Sequence, residues 1–120
     1  MKRAKAIEKG LPARVLRDLV NDPAVTLAAV SHVVAPRRTL DRRLKDNSPL
    51  SVEESDRLSR FIDLLGLTVQ VFGSRADAMT WLSKPKRAFE GEIPLDLLRS
   101  DAGTRAVEEH LLRIRHGFFA

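Results

Sequence analysis

Residues 26–58 read TLAAVSHVVAPRRTLDRRLKDNSPLSVEESDRL, and this stretch decides the fold class. Thr26 is of the type that caps a helix, and Leu27, Val30, Val33 and Val34 form an apolar stripe at helical spacing before Ala35-Pro36 interrupts it. A new helix is predicted at once, from Pro36 to about Asp46, with Leu40 and Leu44 on its inward face. Two helices separated by so tight a break fit a helix-turn-helix, whose second helix lies in the major groove of DNA. Ser51-Val52-Glu53-Glu54 then has the form of a capping box and opens the longest helix of the chain. Its apolar positions, Leu58, Phe61, Ile62, Leu65, Val69 and Phe72, make a stripe that must be buried, within the fold or against a partner.

Working outward from this segment, Leu11-Pro12 with Val15, Leu16, Leu19 and Val20 predicts a short helix stopped by Asn21-Asp22-Pro23. The preceding Lys2, Arg3 and Lys5 read as a solvated basic tail. Toward the C-terminus, Ser74-Arg75-Ala76-Asp77 starts a helix that holds Ala78, Met79, Trp81 and Leu82, with Trp81 expected in the core, and Lys84-Pro85 ends it. Glu90 to Pro94 reads as loop, Pro94 to Leu98 as one helical turn, and Thr104 to Arg115 as a last helix. No stretch sustains the period-two alternation of a half-buried strand, so the expected fold is all-α. The expected divisions are a helix-turn-helix part over 1–48, a connecting helix over 49–73 and a small helical domain over 74–120.

The chain has 120 residues, 43% of them hydrophobic, enough for one hydrophobic core or two small helical units. It has no cysteine, which excludes a disulfide scaffold, a thiolate metal site and a cysteine nucleophile. No apolar run approaches the ~20 residues of a membrane span, and Met1 to Gly10 lack the apolar block of a secretion signal. A soluble, cytoplasmic protein without membrane contact is therefore expected. The formal charge is +5, and it is unevenly placed. Residues 1–47 carry eleven Lys and Arg against five Asp and Glu, whereas residues 48–120 carry ten against eleven. All the excess positive charge thus belongs to the half that holds the helix-turn-helix.

Candidate chemistry follows the same division. His110 and His116 are separated by about 600° of helical turn and face opposite sides, and the third histidine, His32, has no ligand partner at metal spacing, so no metal site is expected. Glycine-rich phosphate loops and a serine elbow are absent, and Glu53-Glu54 and Glu108-Glu109 suit capping and solvation, so no catalytic residue and no cofactor are assigned. Arg37, Arg38, Thr39, Arg42 and Arg43 are the candidates for DNA contact, because the planar arginine fork suits both phosphate and guanine edges. Asp41 and Asp46 lower the local charge, which points to modest affinity that a dimer would raise. Phe61, Leu65, Val69 and Phe72 are either core or a dimerisation stripe, and Gly66 among them marks a kink or a close helix approach. At the C-terminus Gly117 suits the left-handed residue after a helix cap, and Phe118 and Phe119 either fold back or dock into another protein.

Taken together these segments resemble the Xre/MbcA/ParS family of antitoxins, the partners of RES-domain toxins. Thr39-Leu40-Asp41-Arg42-Arg43-Leu44 looks like the family's recognition helix, and Leu50-Ser51-Val52-Glu53-Glu54-Ser55-Asp56-Arg57-Leu58 like the start of its long helix. Val71-Phe72-Gly73, Ala78 with Trp81-Leu82, Pro94-Leu95-Asp96-Leu97-Leu98, Gly103, and Val107 to Gly117 follow the toxin-binding domain in order. The departures are Ala88 to Ile93, where the family more often has a leucine and a glycine-rich turn, and the bulky Phe118-Phe119 end. The resemblance implies an Xre-like helix-turn-helix that dimerises and binds operator DNA, followed by a small toxin-binding domain. It further implies inhibition of an NAD-consuming toxin, which ADP-ribosylates a target or degrades NAD, by a C-terminal segment pushed into the toxin's NAD pocket. The residues it nominates for toxin contact are Arg105, Glu108, Leu112, Arg113, Arg115, His116, Gly117, Phe118 and Phe119. The rival reading is a stand-alone repressor whose C-terminal domain only dimerises.

Overall fold

A computed structural model describes residues 2–117, with the backbone alone at Lys2, Arg3, Ala4 and Ala6. Among the described residues all regular structure is helical: α1 (Lys2–Lys9), α2 (Ala13–Val20), α3 (Leu27–Ser31), α4 (Arg37–Asp46), α5 (Val52–Phe72), α6 (Arg75–Leu82), a 3-10 turn (Arg87–Phe89), α7 (Pro94–Leu97) and α8 (Asp101–Arg115). None of these helices is long and apolar enough to cross a membrane. The chain forms two compact units, Met1–Ser59 and Arg60–Ala120. The dividing point lies inside α5.

In the first unit each element ends where its residues dictate. Thr26 accepts the Ala29 amide at 3.1 Å and so caps α3. The expected stripe continues past the helix, since Val33 and Val34 are buried although α3 stops at Ser31. The chain there winds through turns, and Pro36 disfavours helical geometry at Ala35 before starting α4 as its N-cap. Leu40 is fully buried and Leu44 half-buried, so both turn inward as their spacing predicts. The segment read as a solvated tail is instead helical: Lys2–Lys9 forms α1, with Ile7 half-buried. Ala4, Ala6, Glu8 and three lysines are good helix formers, a signal that the count of basic residues obscured.

The helix α4 is fixed by three arginines from its surroundings and itself. The capping box forms as predicted, Ser51 Oγ accepting the Glu54 amide at 3.1 Å and Glu54 Oε1 accepting the Ser51 amide at 2.9 Å. The same carboxylate receives Arg43 of α4 in bidentate fashion, Nε to Oε1 at 3.1 Å and Nη2 to Oε2 at 3.2 Å. Arg57, one turn further along α5, donates through Nε to the Val34 carbonyl at 2.9 Å, in the turn that precedes α4. Arg17 of α2 donates to the Leu44 carbonyl at 3.0 Å, and both of its terminal nitrogens lie 3.4 Å from Asn47 Oδ1. Asn47 is the left-handed C-cap of α4, with φ of 50°. Cationic groups at a helix C-terminus also oppose its dipole.

In the second unit, Ser74 caps α6 by accepting the Asp77 amide at 3.1 Å, and Ser100 caps α8 by accepting the Gly103 amide at 2.9 Å. The last helix therefore begins at Asp101, three residues before the predicted Thr104. Gly103 is obligatory there, because a Cβ would stand 2.0 Å from the Leu97 carbonyl oxygen. Phe61, Leu64 and Leu65 from α5 are buried with Ala78, Met79, Leu82, Leu95, Leu98, Val107 and Leu111. Gly66 does not mark a close helix approach: it is exposed, and a Cβ on it would meet nothing within 4 Å.

Two outcomes follow from this packing. Gly103→Ala should lower the thermal midpoint sharply, by the equivalent of about 3 kcal/mol, since the clash is with backbone and cannot be relieved by a rotamer. Gly66→Ala should raise it by up to ~1 kcal/mol, through helix propensity alone. Calorimetry on both variants checks the contrast, and equal effects would contradict the geometry. The second outcome concerns pH. Burial raises the Glu54 pKa, but the Arg43 hydrogen bonds, the Ser51 amide and the charges of Arg43 and Arg57 outweigh it and hold the carboxyl below its ordinary value. Its contribution to stability is therefore full above the ordinary glutamate range and is lost as pH falls through the lowered folded-state value. Glu54→Gln should cost about 1–2 kcal/mol at neutral pH and flatten the acid limb of thermal stability against pH; an unchanged limb would deny the ion pair its role.

Candidate functional site

The outward side of α4 is the first candidate surface. Arg37, Arg38, Asp41, Arg42 and Lys45 are all exposed, and Leu40, on the opposite face, is fully buried. At about 100° per residue these five side chains span an arc of roughly 140°. Arg37, Arg38 and Arg42 therefore share one exposed arc of the helix. Thr39 is half-buried at the edge of the arc. Arg43 is a correction: its side chain is only 21% exposed and its guanidinium is engaged by Glu54, so it orients the helix and does not face outward with the other three.

The second surface lies along α8 in the C-terminal unit. Asp101, Thr104, Arg105, Glu108 and Leu112 share one face of the helix and line a groove of about 450 Å³ with Arg60, Asp63, Leu64 and Leu67 of α5. Three residues expected at the toxin, Arg105, Glu108 and Leu112, are brought together here. Arg105 is paired one turn back with Asp101, and the hydrogen bond between them holds the Asp101 carboxyl below its ordinary value and raises the guanidinium's. Asp101 escaped the sequence reading because Gly103 hid the first turn of α8. The Asp101, Arg105, Glu108, Leu112 spacing of 4, 3 and 4 residues was the signal that could have found the whole stripe.

Arg113 is not part of this groove. It lies about 100° further around α8, in a depression of about 300 Å³ lined also by Ala88, Phe89, Ala106, Glu109 and His110. Behind that depression sits a cluster of rings that the sequence did not reveal. Trp81 and His110 stack with centroids 6.1 Å apart, Phe72 lies 5.5 Å from Trp81, and Phe89 meets the His110 edge at 5.2 Å. Lys86 Nζ stands 5.0 Å over the Trp81 ring. Burial, with the nearby charges of Arg113 and Lys86, pushes the His110 pKa below its ordinary value. Trp81 is half-buried among these rings and not in the core proper.

At the end of α8, Arg113, Arg115, His116 and Gly117 are exposed, and Arg115 donates to Gln70 Oε1 at 2.9 Å. His116 is the C-cap and Gly117 adopts φ of 78°, the left-handed residue that the sequence predicts. Phe118 and Phe119 lie outside the described residues. Of the stripe considered for dimerisation, Phe61 and Leu65 are buried within the chain, while Val69 and Phe72 are half-buried, Phe72 against Trp81. Phe61 and Leu65 thus serve the core, which removes them from any surface that a second copy could meet. Among the described residues no group of three or more metal-binding side chains converges.

Comparison with known proteins follows the same two halves. Residues 2–63 match the model of the antitoxin Xre-like helix-turn-helix domain, and residues 68–117 match the antitoxin Xre/MbcA/ParS C-terminal toxin-binding domain. The chain is 44% identical to an Antitoxin Xre of Pseudomonas putida, over 71% of its own length and 54% of the relative's. It is 33% identical to an Antitoxin Xre of Yersinia enterocolitica, over 71% of its own length and 58% of the relative's. The match thus spans little more than half of either relative. A Prs ADP-ribosylating antitoxin of Sphingobium sp. is 28% identical over 98% of this chain and 80% of its own. With both domain models matched in chain order and the relative from Pseudomonas putida 44% identical, the chain belongs to the Xre/MbcA/ParS family of toxin-antitoxin antitoxins.

Proposed function

We propose that this protein binds and neutralises a RES-domain, NAD-consuming toxin, holding it along the α8 face and closing its NAD pocket with the C-terminal segment, and that it represses its own operon through α4. It acts in the cytoplasm, by binding and not by catalysis, and does so as a homodimer. The observation that carries the neutralising role is the exposed cationic end of α8, where Arg113, Arg115, His116 and Gly117 all face solvent beyond a groove lined by Arg105, Glu108 and Leu112. Arginines and a glycine turn at the end of a rigid helix can reach into a pocket built for a dinucleotide, whose phosphates call for cationic partners. The name of the Sphingobium relative joins an antitoxin to ADP-ribosylation, a reaction that consumes NAD, and so supports this class of toxin.

Co-expression with the neighbouring gene, purification of the complex and an NAD-consumption assay test the proposal. Deletion of residues 116–120 should restore NAD consumption while the helical circular-dichroism signal and thermal midpoint stay within a few degrees of the full chain. Full neutralisation by the truncated chain would sink occlusion by the C-terminal segment. For the DNA role, Arg38→Ala with Arg42→Ala should weaken binding to the operon's upstream DNA and reduce the slope of log K against log salt by roughly one per lost phosphate contact. An unchanged affinity and slope would leave α4 without a part in repression.

A further inference from the structure

On the outward side of α4 one residue has the wrong charge for an anion. Arg37, Asp41 and Lys45 follow one another at four-residue spacing, about 40° apart around the axis, with Arg38 and Arg42 on the neighbouring row. Asp41 is exposed and is surrounded by those four cations, each of them exposed. Among the described residues no hydrogen bond or ion pair engages its carboxylate, although Arg37 stands one turn before it. Neither capping nor packing accounts for it: it lies mid-helix, and Leu40 makes the inward contact beside it.

We propose that Asp41 is a specificity-determining residue that reads a cytosine in the major groove. The inference rests on the DNA-binding half of the function proposed above. A carboxylate carried toward a duplex meets phosphate repulsion everywhere except where a base offers it a donor. In the major groove the exocyclic amine of cytosine is the donor that suits it, while the flanking arginines suit guanine O6 and N7. The carboxylate therefore weakens binding to every sequence and regains that loss only on the correct one. Such a reader needs a fixed helix, and the ties from Arg43, Arg57 and Arg17 supply it at the middle, the start and the end of α4.

The test uses the full chain and a library of duplexes with a randomised centre. Wild type, Asp41→Ala and Asp41→Asn are each put through selection, and Kd is then measured for each on the duplex that wild type selects and on a scrambled duplex of equal length. Wild type should select cytosine at one position per half-site. Asp41→Ala should lose that preference and bind the scrambled duplex more tightly, so that the ratio of the two affinities falls about tenfold, within the range for one base-reading contact. Asp41→Asn should move the preference at that position toward adenine, whose edge suits an amide. If both variants select the wild-type sequence, or tighten on both duplexes by one common factor, Asp41 is only a surface charge and the proposal falls. If wild type selects no sequence at all, the DNA reading of α4 falls first, and the two failures are told apart by that result. Thermal midpoints equal to wild type accompany the expected outcome, because Asp41 makes no contact for the fold to lose.

Discussion

The Glu54 carboxylate joins α4 to α5 in the N-terminal unit and closes the first turn of α5. One of its oxygens closes the first turn of α5 by accepting the Ser51 amide, and the pair of oxygens together grips the Arg43 fork. A cap is ordinarily a local device that satisfies orphan amides. Here it is also a tertiary bond, because the residue it holds belongs to α4. The side chains of the pair are 10% and 21% exposed, so solvent screens them far less than it screens a surface ion pair. The backbone at the start of the unit is tied to the same turn: Ser55 Oγ accepts the Leu11 amide at 2.8 Å, and the Leu50 amide donates to the Leu11 carbonyl at 2.9 Å. That contact leaves no room for a side chain at Gly10, where a Cβ would stand 2.2 Å from the Leu50 carbonyl oxygen and φ is +84°.

The basic excess of the N-terminal half acquires two meanings once the arginines are placed. Arg43 turns inward to a carboxylate, Arg17 donates from an exposed position to a carbonyl at the end of α4, and Arg57 joins them from beyond the half. Arg37, Arg38, Arg42 and Lys45 are turned out. Counting charge along the chain cannot separate these groups, because a guanidinium serves equally well as internal donor and as external ligand. What separates them is angular position on α4 relative to Leu40, together with the arrival of Glu54 from the next helix. The consequence for recognition is that fewer cations face a partner than the count suggests, and that the ones that do are presented by a helix with little freedom to rotate.

Much of the architecture was legible because it is written in local rules. The caps at Thr26, Ser51 and Ser74, the break at Ala35-Pro36 and the left-handed Gly117 all form as their residue types require. What failed to be legible depended on distance or on context. The helix over Lys2–Lys9 was hidden by its charges, and the stripe Leu27 to Val34 did not reveal that α3 stops at Ser31 and gives way to turns in which the Val33 and Val34 amides both donate to the Val30 carbonyl. The ring cluster around Trp81 could not be read at all, since Phe72, Phe89 and His110 come from three different stretches of chain. Of the candidate site, periodicity placed Arg38 and Arg42 on one face of α4, whereas Arg105, Glu108 and Leu112 were nominated by the family resemblance alone, although their spacing puts them on one face of α8. Arg43 was misassigned because its partner lies eleven residues away.

The start of α8 shows how strongly such a surface depends on one boundary. Each residue turns a helix by about 100°, so the face presented to the groove is set by the element that anchors the first turn. Ser100 and Gly103 provide that anchor together, the serine by accepting the Gly103 amide and the glycine by letting the Leu97 carbonyl approach where a side chain would stand. Thr104 adds a second constraint in the same turn, its hydroxyl donating to the Ser100 carbonyl at 2.8 Å from a buried position. With that turn fixed, Arg105, Glu108 and Leu112 fall on the groove side, and Ala106, Glu109 and Arg113 on the side of Phe89 and His110. A shift of one residue in one sense would bring Ala106, Glu109 and Arg113 to the groove side, replacing a mixed and partly apolar face by one with no leucine. The glycine that obscured the helix in the sequence is therefore the residue that decides which of its faces a partner meets.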